Sequence, residues 1–296
     1  MKTKNKLKLN LFKGALAVTA FASLPLMTIS CNKLDQNLVK EINEYDYNIG
    51  NKLNQKVAIK EFDENKNIIE TKKTYWNAFG YIEGTVTRVY DGDTFSFMPD
   101  HPMDESEKTK GLKVRCKYID TPESIGPHTP SATELEQSYS DRDTEFAKSL
   151  ILGKKVRVIG RRTDRTYDRM TGITFFGDNF ERCFELEMLK NGFTVSTLSK
   201  EDTSDYRIQY DSNVKDTYMG LFAKDFAYAQ NYGVLNKQNF FNEFNTAEDL
   251  CNTVYSAHGN AWNDHGYYKY LTNSPSAQDS ENNFIEWLLQ KERGKK

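Results

Sequence analysis

The sequence is short of cysteine, of proline and of charge of one sign, and these shortages exclude several classes of protein. The four cysteines among 296 residues include no CxxC pair, which argues against a zinc ribbon or a thioredoxin-like site. They are also too few for the disulfide framework of a small secreted scaffold. The 40 basic residues are matched by 42 acidic ones, and this balance excludes histone-like and polybasic RNA-coating proteins.

Several catalytic motifs are missing as well. The sequence contains no GxSxG, Walker or dinucleotide-binding glycine pattern, so serine hydrolases, NTPases and Rossmann enzymes lack support. What the sequence does contain is 38% hydrophobic and 13% aromatic residues, with only 7 prolines. This composition is sufficient for one folded domain with an appendage, and it excludes a wholly disordered chain.

The N-terminus resembles a bacterial secretory signal. Residues 1–13 hold five lysines and no acid, and an apolar stretch follows from Ala15 to Ile29. The run that ends in Ser30 and Cys31 resembles a lipobox, after which the cysteine is lipidated. We therefore expect a lipoprotein signal peptide over residues 1–30, a lipid anchor on Cys31 and a location on the extracellular face of the cell membrane. The alternatives are an ordinary signal peptide cut elsewhere, or a retained helix.

The rest of the chain divides by its pattern of apolar residues. Residues 31–78 lack a sustained period, which predicts a tether or a loosely structured N-terminal extension. From Tyr81 onward short alternating strands are interleaved with helical patterns at about residues 141–152, 180–190 and 214–231. This order predicts an α+β domain over residues 79–235, an OB-type β-barrel with packed helices. Residues 236–296 follow as a helical C-terminal extension of unknown role.

Three polar clusters lie at the ends of predicted strands. The first, Asp-Gly-Asp-Thr at residues 91–94, has the composition of a hairpin turn. The second, Asp-Thr-Pro-Glu at residues 120–123, could begin a helix with Thr121 as its N-cap. The third, residues 164–169, has the charge of a solvated turn. Each cluster alone therefore has an explanation that needs no function.

Taken together, the clusters supply carboxylates that local structure does not explain. A hard cation such as calcium prefers carboxylate, carbonyl and water oxygens. Asp93, Asp120 and the carbonyl of Thr121 could provide such ligands. Glu123 could then act as a general base toward a water molecule. The sequence therefore indicates a metal site at these strand ends.

Two arginines accompany these carboxylates. Arg115 lies in the predicted strand over residues 114–119, where Val114, Cys116 and Tyr118 alternate with cations, so its side chain points away from the apolar set. Arg169 ends the third cluster. Each guanidinium could donate paired N–H groups to a phosphate. The combination is typical of phosphodiester cleavage.

At these residues the sequence resembles the staphylococcal nuclease-like, or thermonuclease, domain family, over about residues 81–235. The resemblance rests on DGDT at residues 91–94, VRCKYIDTPES at 114–124 and TDRTYDR at 163–169. It implies a five-stranded OB-type barrel with helices and calcium-dependent endonuclease and exonuclease activity on DNA and RNA. It further implies that calcium is held by Asp93, Asp120 and the Thr121 carbonyl, that Glu123 is the base, that Arg115 and Arg169 bind the phosphate, and that Tyr167 lies beside it.

The sequence departs from the family near these motifs. Asp168 stands directly before Arg169, where the family usually has Gly, and one residue is added between Asp164 and Tyr167. An acid in that place would weaken the pairing of Arg169 with phosphate. The connection over residues 97–112 and the segment 125–140 are expected to be enlarged loops.

We therefore expect a calcium-dependent, sugar-non-specific nuclease that hydrolyses phosphodiester bonds of DNA and RNA at the outer cell surface, for nucleotide scavenging. Seven cations against two acids between residues 151 and 170 would attract the polyanion locally. One alternative is a catalytically weak or inactive surface nucleic-acid-binding or adhesion lipoprotein. Another is a surface interaction protein that works through its extensions.

Overall fold

The computed structural model describes residues 36–258 and 284–294. The predicted signal peptide and Cys31 lie outside the described residues. Within those residues, no helix combines the length and apolar composition that a membrane span needs.

Five strands close into a barrel, and this confirms the predicted α+β, OB-type fold. In chain order the strands are β1 (Lys56–Phe62), β2 (Ile68–Thr74), β3 (Ile82–Val89), β4 (Thr94–Pro99), β5 (Leu112–Cys116), β6 (Ile119–Asp120), β7 (Lys155–Ile159), β8 (Arg165–Thr166), β9 (Arg169–Phe176), β10 (Arg182–Cys183) and β11 (Val195–Ser196). The barrel runs β9-β5-β4-β3-β7, and β7 pairs back onto β9. Only the β5–β9 pair of the barrel is parallel.

Strand register brings the polar clusters toward one another. Thr94, the first residue of β4, pairs with Arg115 of β5, and Arg115 pairs in turn with Thr171 of β9. Within β5, Leu112, Val114 and Cys116 are buried while Arg115 is only partly buried. The alternation therefore turns Arg115 out of the apolar core, as the sequence predicts.

Helices precede, interrupt and follow the barrel strands along the chain, and some of their boundaries differ from the predicted ones. In chain order the helices are α1 (Gln36–Glu44), α2 (Tyr75–Phe79), α3 (Glu105–Lys110), α4 (Glu134–Ile151), α5 (Phe184–Lys190), α6 (Lys200–Ile208), α7 (Tyr218–Leu235), α8 (Ala247–Val254) and α9 (Phe284–Arg293). Helix α4 begins well before residue 141, because Thr133 accepts the amide of Glu136 as an N-cap. The expected loop at residues 125–140 is therefore helical from residue 134. Helix α5 begins late because residues 182–183 pair with β9 as β10.

Residues 36–79 are folded, so the expectation of a loose tether fails for this part of the chain. Leu38 and Ile42 of α1 are buried, as are Tyr75 and Trp76 of α2. The Trp76 ring lies edge-on to Phe175 of the barrel, with centroids 5.1 Å apart. The buried apolar residues of this segment lie in several short elements, and Trp76 packs on a residue that comes later in the chain. Their spacing therefore shows no single period.

The C-terminal extension shares the core of the barrel domain. Phe240 lies edge-on to Tyr139 of α4 and to Phe193, with ring centroids 4.8 and 5.4 Å apart. Leu250 and Val254 of α8 are fully buried. Residues 236–258 therefore pack against α4 and share the core of the domain.

The three cysteines among the described residues occupy the interior. Cys116 and Cys183 are buried, as their apolar positions predict, and Cys251 is buried as well. All three thiols are free. Their surroundings are those of small core residues.

Candidate active site

The turn between β3 and β4 fixes Asp93 in the wall of the barrel. Its carboxylate is fully buried; Oδ1 accepts the hydroxyl of Thr94 at 3.0 Å and Oδ2 accepts the amide of Thr121 at 3.2 Å. The carbonyl of Asp93 accepts the amide of Cys116 at 2.8 Å. Asp93 thus joins the first cluster to the second and to β5.

Gly92 is required by the close approach of α4 to this turn. A Cβ at this position would lie 2.5 Å from Oδ1 of Asp143 and 2.7 Å from Cγ2 of Thr121. Both distances are shorter than non-bonded carbon contacts allow. The glycine between the two aspartates therefore has a steric reason in addition to its preference for turns.

Arg115 is the centre of the cluster. Its Nη1 lies 2.6 Å from Oδ1 of Asp93, and its Nη2 lies 2.5 Å from Oδ1 of Asp120. Oε1 of Glu123 is 3.6 Å from the same Nη1. Burial alone would lower the pKa of Arg115, but the charges of Asp93 and Asp120 outweigh burial and raise it. The guanidinium therefore stays cationic.

The second cluster is held by a short strand pair and not by a helix. Asp120 belongs to β6 and pairs with Val195 of β11. Its carbonyl accepts the hydroxyl of Thr194 at 2.6 Å. Residues 121–124 are irregular, so the alternative in which Thr121 begins a helix is wrong. The Glu123 side chain is 17% exposed, which leaves it within reach of water.

Arg169 lies at the edge of the cluster. Its Nη1 donates to Oγ1 of Thr94 at 3.5 Å, and Thr94 in turn donates to Asp93. Oδ2 of Asp168 lies 3.7 Å from Nζ of Lys113, so this acid has a cationic partner on β5. The structure thus brings Asp93, Arg115, Asp120, Thr121 and Glu123 together and places Arg169 beside them.

Tyr167 is set apart from this group. It occupies the turn between β8 and β9 with a positive φ of 58°, and it is 90% exposed. Its side chain is therefore available to a ligand that approaches over the hairpin.

The segment 151–170 presents less positive charge than its sequence suggests. Arg157 pairs with Glu83, and Lys155 pairs with Glu83 and Asp100. Arg162 pairs with Glu107 of α3, inside the long connection between β4 and β5. Ion pairs with other elements therefore neutralise part of the local excess of positive charge.

Two carboxyls that the sequence analysis did not assign to the site lie beside it. Burial and the charge of Asp93, opposed by Arg115, raise the pKa of Asp91 to about 8. Burial and the charges of Asp91 and Asp93 raise the pKa of Asp143 well above its usual range. Oδ2 of Asp143 is buried without a hydrogen-bond partner among the described residues.

A signal for Asp143 was present in the sequence. Tyr139 and Ala147, one helical turn to either side, are buried, so Asp143 is a polar residue on the apolar face of α4. The sequence does not predict the role of Glu136. Its spacing from Thr133 is typical of a capping box, in which its side chain would accept the Thr133 amide. In the structure its Oε1 instead accepts the amide of Glu123 at 3.0 Å.

The donor set at this site fits a hard cation in its chemistry. Asp93 and Asp120 both direct Oδ1 atoms at one cationic group, the guanidinium of Arg115. Within residues 36–258 and 284–294, no three His, Cys, Asp or Glu side chains are grouped as metal ligands. A cation bound by Asp93 and Asp120 would therefore also need backbone carbonyl or water oxygens, which calcium accepts.

Comparison with known proteins agrees with this geometry. Residues 113–220 match the family described as staphylococcal nuclease homologue. This segment of the chain therefore resembles a staphylococcal nuclease domain. The family match includes Arg115, Asp120, Glu123 and Arg169, and Asp93 lies before it.

The chain also has relatives among curated proteins. The chain is 31% identical over 132 residues to the probable endonuclease LCL3 of Komagataella phaffii, covering 39% of this chain and 55% of that protein. It is 34% identical over 97 residues to an uncharacterized endonuclease of Escherichia coli O157:H7, covering 33% and 50%. It is 27% identical over 192 residues to the uncharacterized lipoprotein MG186 of Mycoplasma genitalium, covering 62% and 70%. The chain thus spans about half the length of the two endonucleases.

Two of these three relatives are named as endonucleases. The matched family and the names of the relatives agree with a site built from carboxylates and arginines.

Proposed function

We propose that this protein is a calcium-dependent nuclease that hydrolyses phosphodiester bonds of DNA and RNA without sugar specificity. The observation that carries the proposal is the convergence of Asp93, Asp120 and Glu123 on Arg115 inside a nuclease-like domain. Two stretches of the chain, at residue 93 and at residues 115–123, would not be expected to gather three acids around one arginine away from solvent without a use for them, because removing charges from water is costly.

The acidic residues have separable tasks in this proposal. Glu123 is exposed enough to accept the proton of the water molecule that attacks phosphorus. Asp93, Asp120 and the Thr121 carbonyl would hold calcium, which supplies positive charge beside the phosphate when it is bound. The hydrogen bonds from Thr94 and from the Thr121 amide keep the Asp93 carboxylate in place.

The arginines act on the phosphate. Arg115 and Arg169 donate N–H groups to its oxygens, and such donors stabilise most when negative charge grows in the transition state. Because Arg115 is paired with carboxylates in the protein alone, substrate binding requires its guanidinium to exchange a carboxylate oxygen for a phosphate oxygen. Tyr167, exposed on the β8–β9 turn, contacts the substrate beside the scissile phosphate.

We also propose that the enzyme works at the outer cell surface, held by lipid on Cys31, where it releases nucleotides for scavenging. Three observations support this location: the lysine-rich start, the apolar run and the lipobox-like end of residues 1–31. The similarity to a protein named as a lipoprotein points in the same direction. Radiolabelled palmitate fed to producing cells should label the wild type and leave Cys31→Ser unlabelled; label on both would refute the anchor.

The activity is tested with the purified protein and circular double-stranded DNA, with calcium or with a chelator of calcium. We expect open circles and linear DNA with calcium, intact circles with chelator, and parallel cleavage of single-stranded RNA. Well-folded protein that retards DNA on a gel but leaves it intact with calcium would instead establish the binding-protein alternative.

A further inference from the structure

The segment that follows α8 contacts the backbone of the proposed active site. Tyr255 is 2% exposed, and its hydroxyl donates to the backbone carbonyl of Asp120 at 2.8 Å. This bond joins residues 135 positions apart in the chain. Tyr255 belongs to the C-terminal extension and lies outside the matched residues 113–220.

The next two residues of the segment hold Glu136. Oε2 of this fully buried carboxylate accepts the hydroxyl of Ser256 at 2.7 Å and the amide of Ala257 at 2.8 Å. Its other oxygen, Oε1, accepts the amide of Glu123 at 3.0 Å. Glu136 is therefore a bridge from the extension to the residue proposed as base.

Tyr255 and Glu136 both contact the backbone of the site. Tyr255 binds the carbonyl of Asp120 and Glu136 binds the amide of Glu123, at the two ends of the second cluster. Neither uses the side-chain oxygens of these residues. The carboxylates of Asp120 and Glu123 therefore remain turned toward Arg115.

We propose that Tyr255, Ser256 and Glu136 are positioning residues that set the distance between the cation ligand Asp120 and the base Glu123. The inference rests on the proposed function. It also assigns a task to the C-terminal extension, which the sequence left without one. Outer groups that orient metal ligands in this way typically affect metal affinity or activity by about 10- to 100-fold.

The first test removes one hydroxyl. Tyr255→Phe keeps the buried ring and loses the donor to Asp120. Tyr47→Phe is the matched control, because the Tyr47 hydroxyl donates to the carbonyl of Ile42 at 2.9 Å. We expect Tyr255→Phe to weaken calcium binding by about tenfold, measured calorimetrically without nucleic acid, and to lower kcat by about tenfold with little change in KM.

A merely structural role would give another pattern. The two Tyr→Phe variants would then lose similar thermal stability and would bind calcium equally well. Equal calcium affinity and equal kcat in Tyr255→Phe, Tyr47→Phe and wild type would overturn the assignment for Tyr255.

The second test does not depend on catalysis. Ser256→Ala removes one of the two donors to Oε2 of Glu136, and Ser138→Ala is its control, since the Ser138 hydroxyl donates to the carbonyl of Leu135 on the exposed side of α4. We expect amide hydrogen exchange at Glu123 to be about tenfold faster in Ser256→Ala than in wild type or control. Glu136→Gln should show a larger effect, because in either orientation its NH2 group would face a backbone N–H donor, that of Glu123 or that of Ala257.

The two proposals can fail separately. If wild-type protein neither binds calcium nor cleaves DNA, the proposed function is wrong, and exchange at Glu123 still decides whether the extension holds this segment. If wild type is an active nuclease but exchange at Glu123 is unchanged in both Ser256→Ala and Glu136→Gln, the positioning role of the extension is refuted.

Discussion

Nη1 of Arg115 lies 2.6 Å from Oδ1 of Asp93, although Asp93 lies in the turn before β4 and Arg115 lies in β5. The contact follows from strand register. Thr94 pairs with Arg115 across β4 and β5, so the residue before Thr94 meets the guanidinium. The register of two barrel strands thus assembles the central pair of the site.

The first prediction concerns the stability that this pair provides. Arg115→Gln leaves Asp93, Asp120 and Glu123 without their shared cation, and we expect the free energy of unfolding at pH 7 to fall by about 3 kcal/mol. Calcium should restore part of this loss, because a cation between Asp93 and Asp120 takes the place of the missing guanidinium and so stabilises the variant more than the wild type. Chemical denaturation with and without calcium measures both effects.

Arg162→Gln is the control for this prediction. This substitution removes the ion pair with Glu107, which lies away from the cluster. The resulting loss of unfolding free energy relative to wild type should not depend on calcium. Equal responses of the two variants to calcium would contradict the account of Arg115.

Much of the fold follows from the sequence because the barrel strands alternate. In β5, buried Leu112, Val114 and Cys116 are separated by cations, and this local pattern predicts both the strand and the direction of Arg115. Residues 36–79 could not be predicted in the same way. Trp76 covers Phe175 of the barrel, and nothing near Trp76 in the sequence indicates that partner.

The active site likewise combines residues that the sequence predicts with contacts that it does not. The three motifs predict the charged side chains that converge, because each motif is a local pattern. The contacts of Tyr255 with Asp120 and of Ser256 with Glu136 join residues more than a hundred positions apart and use backbone or hydroxyl groups. Such bonds leave no local pattern, so only the folded chain reveals them.

A second prediction separates Arg169 from the general positive charge of its hairpin. Arg169→Ala should slow the chemical step by about 3 kcal/mol, or roughly 100-fold, if its guanidinium stabilises the transition state. Arg165→Ala removes the same charge from an exposed position in the hairpin and should change the rate less than threefold. Single-turnover cleavage of a short DNA duplex gives both rates; equal losses would mean that only bulk charge matters.

A third prediction concerns the space around Gly92. In Gly92→Ala the new Cβ collides with Asp143 and with Thr121, whose carbonyl is a proposed ligand. We expect calcium affinity to fall at least tenfold. Gly126→Ala is the control, since its Cβ would meet its nearest neighbour at an ordinary 3.6 Å. Calorimetry of calcium binding would refute the assignment if the two variants behaved alike.

The fourth prediction is a pH dependence in the barrel core. Burial, opposed by the Thr174 amide, raises the pKa of Glu185 from 4.5 to about 7. The folded protein then holds a proton that the unfolded chain has released between these pH values, so the free energy of unfolding falls as pH rises through this window. The loss is on the order of 3 kcal/mol and is complete above pH 7.

Glu185→Gln isolates this effect. The glutamine keeps an acceptor for the Thr174 amide, and the neighbouring thiols of Cys116 and Cys183 have raised pKa values, so they stay neutral in this range. The pKa of Asp91 is also raised, to about 8, so this group makes the free energy of unfolding fall with pH in the wild type and in Glu185→Gln alike. Denaturation at pH 5 and pH 8 should therefore show a smaller loss in the variant, and identical losses would contradict the prediction.

The most direct test of the account is the single-turnover rate of DNA cleavage with saturating calcium in wild type, Glu123→Gln and Glu134→Gln, with DNA affinity measured in parallel. Glu134 is an exposed carboxylate at the start of α4 and serves as the control. If Glu123 is the base, Glu123→Gln should cleave at least about 100-fold more slowly than the other two proteins while binding DNA equally well. Equal rates in all three proteins would contradict the central claim that this site performs the hydrolysis.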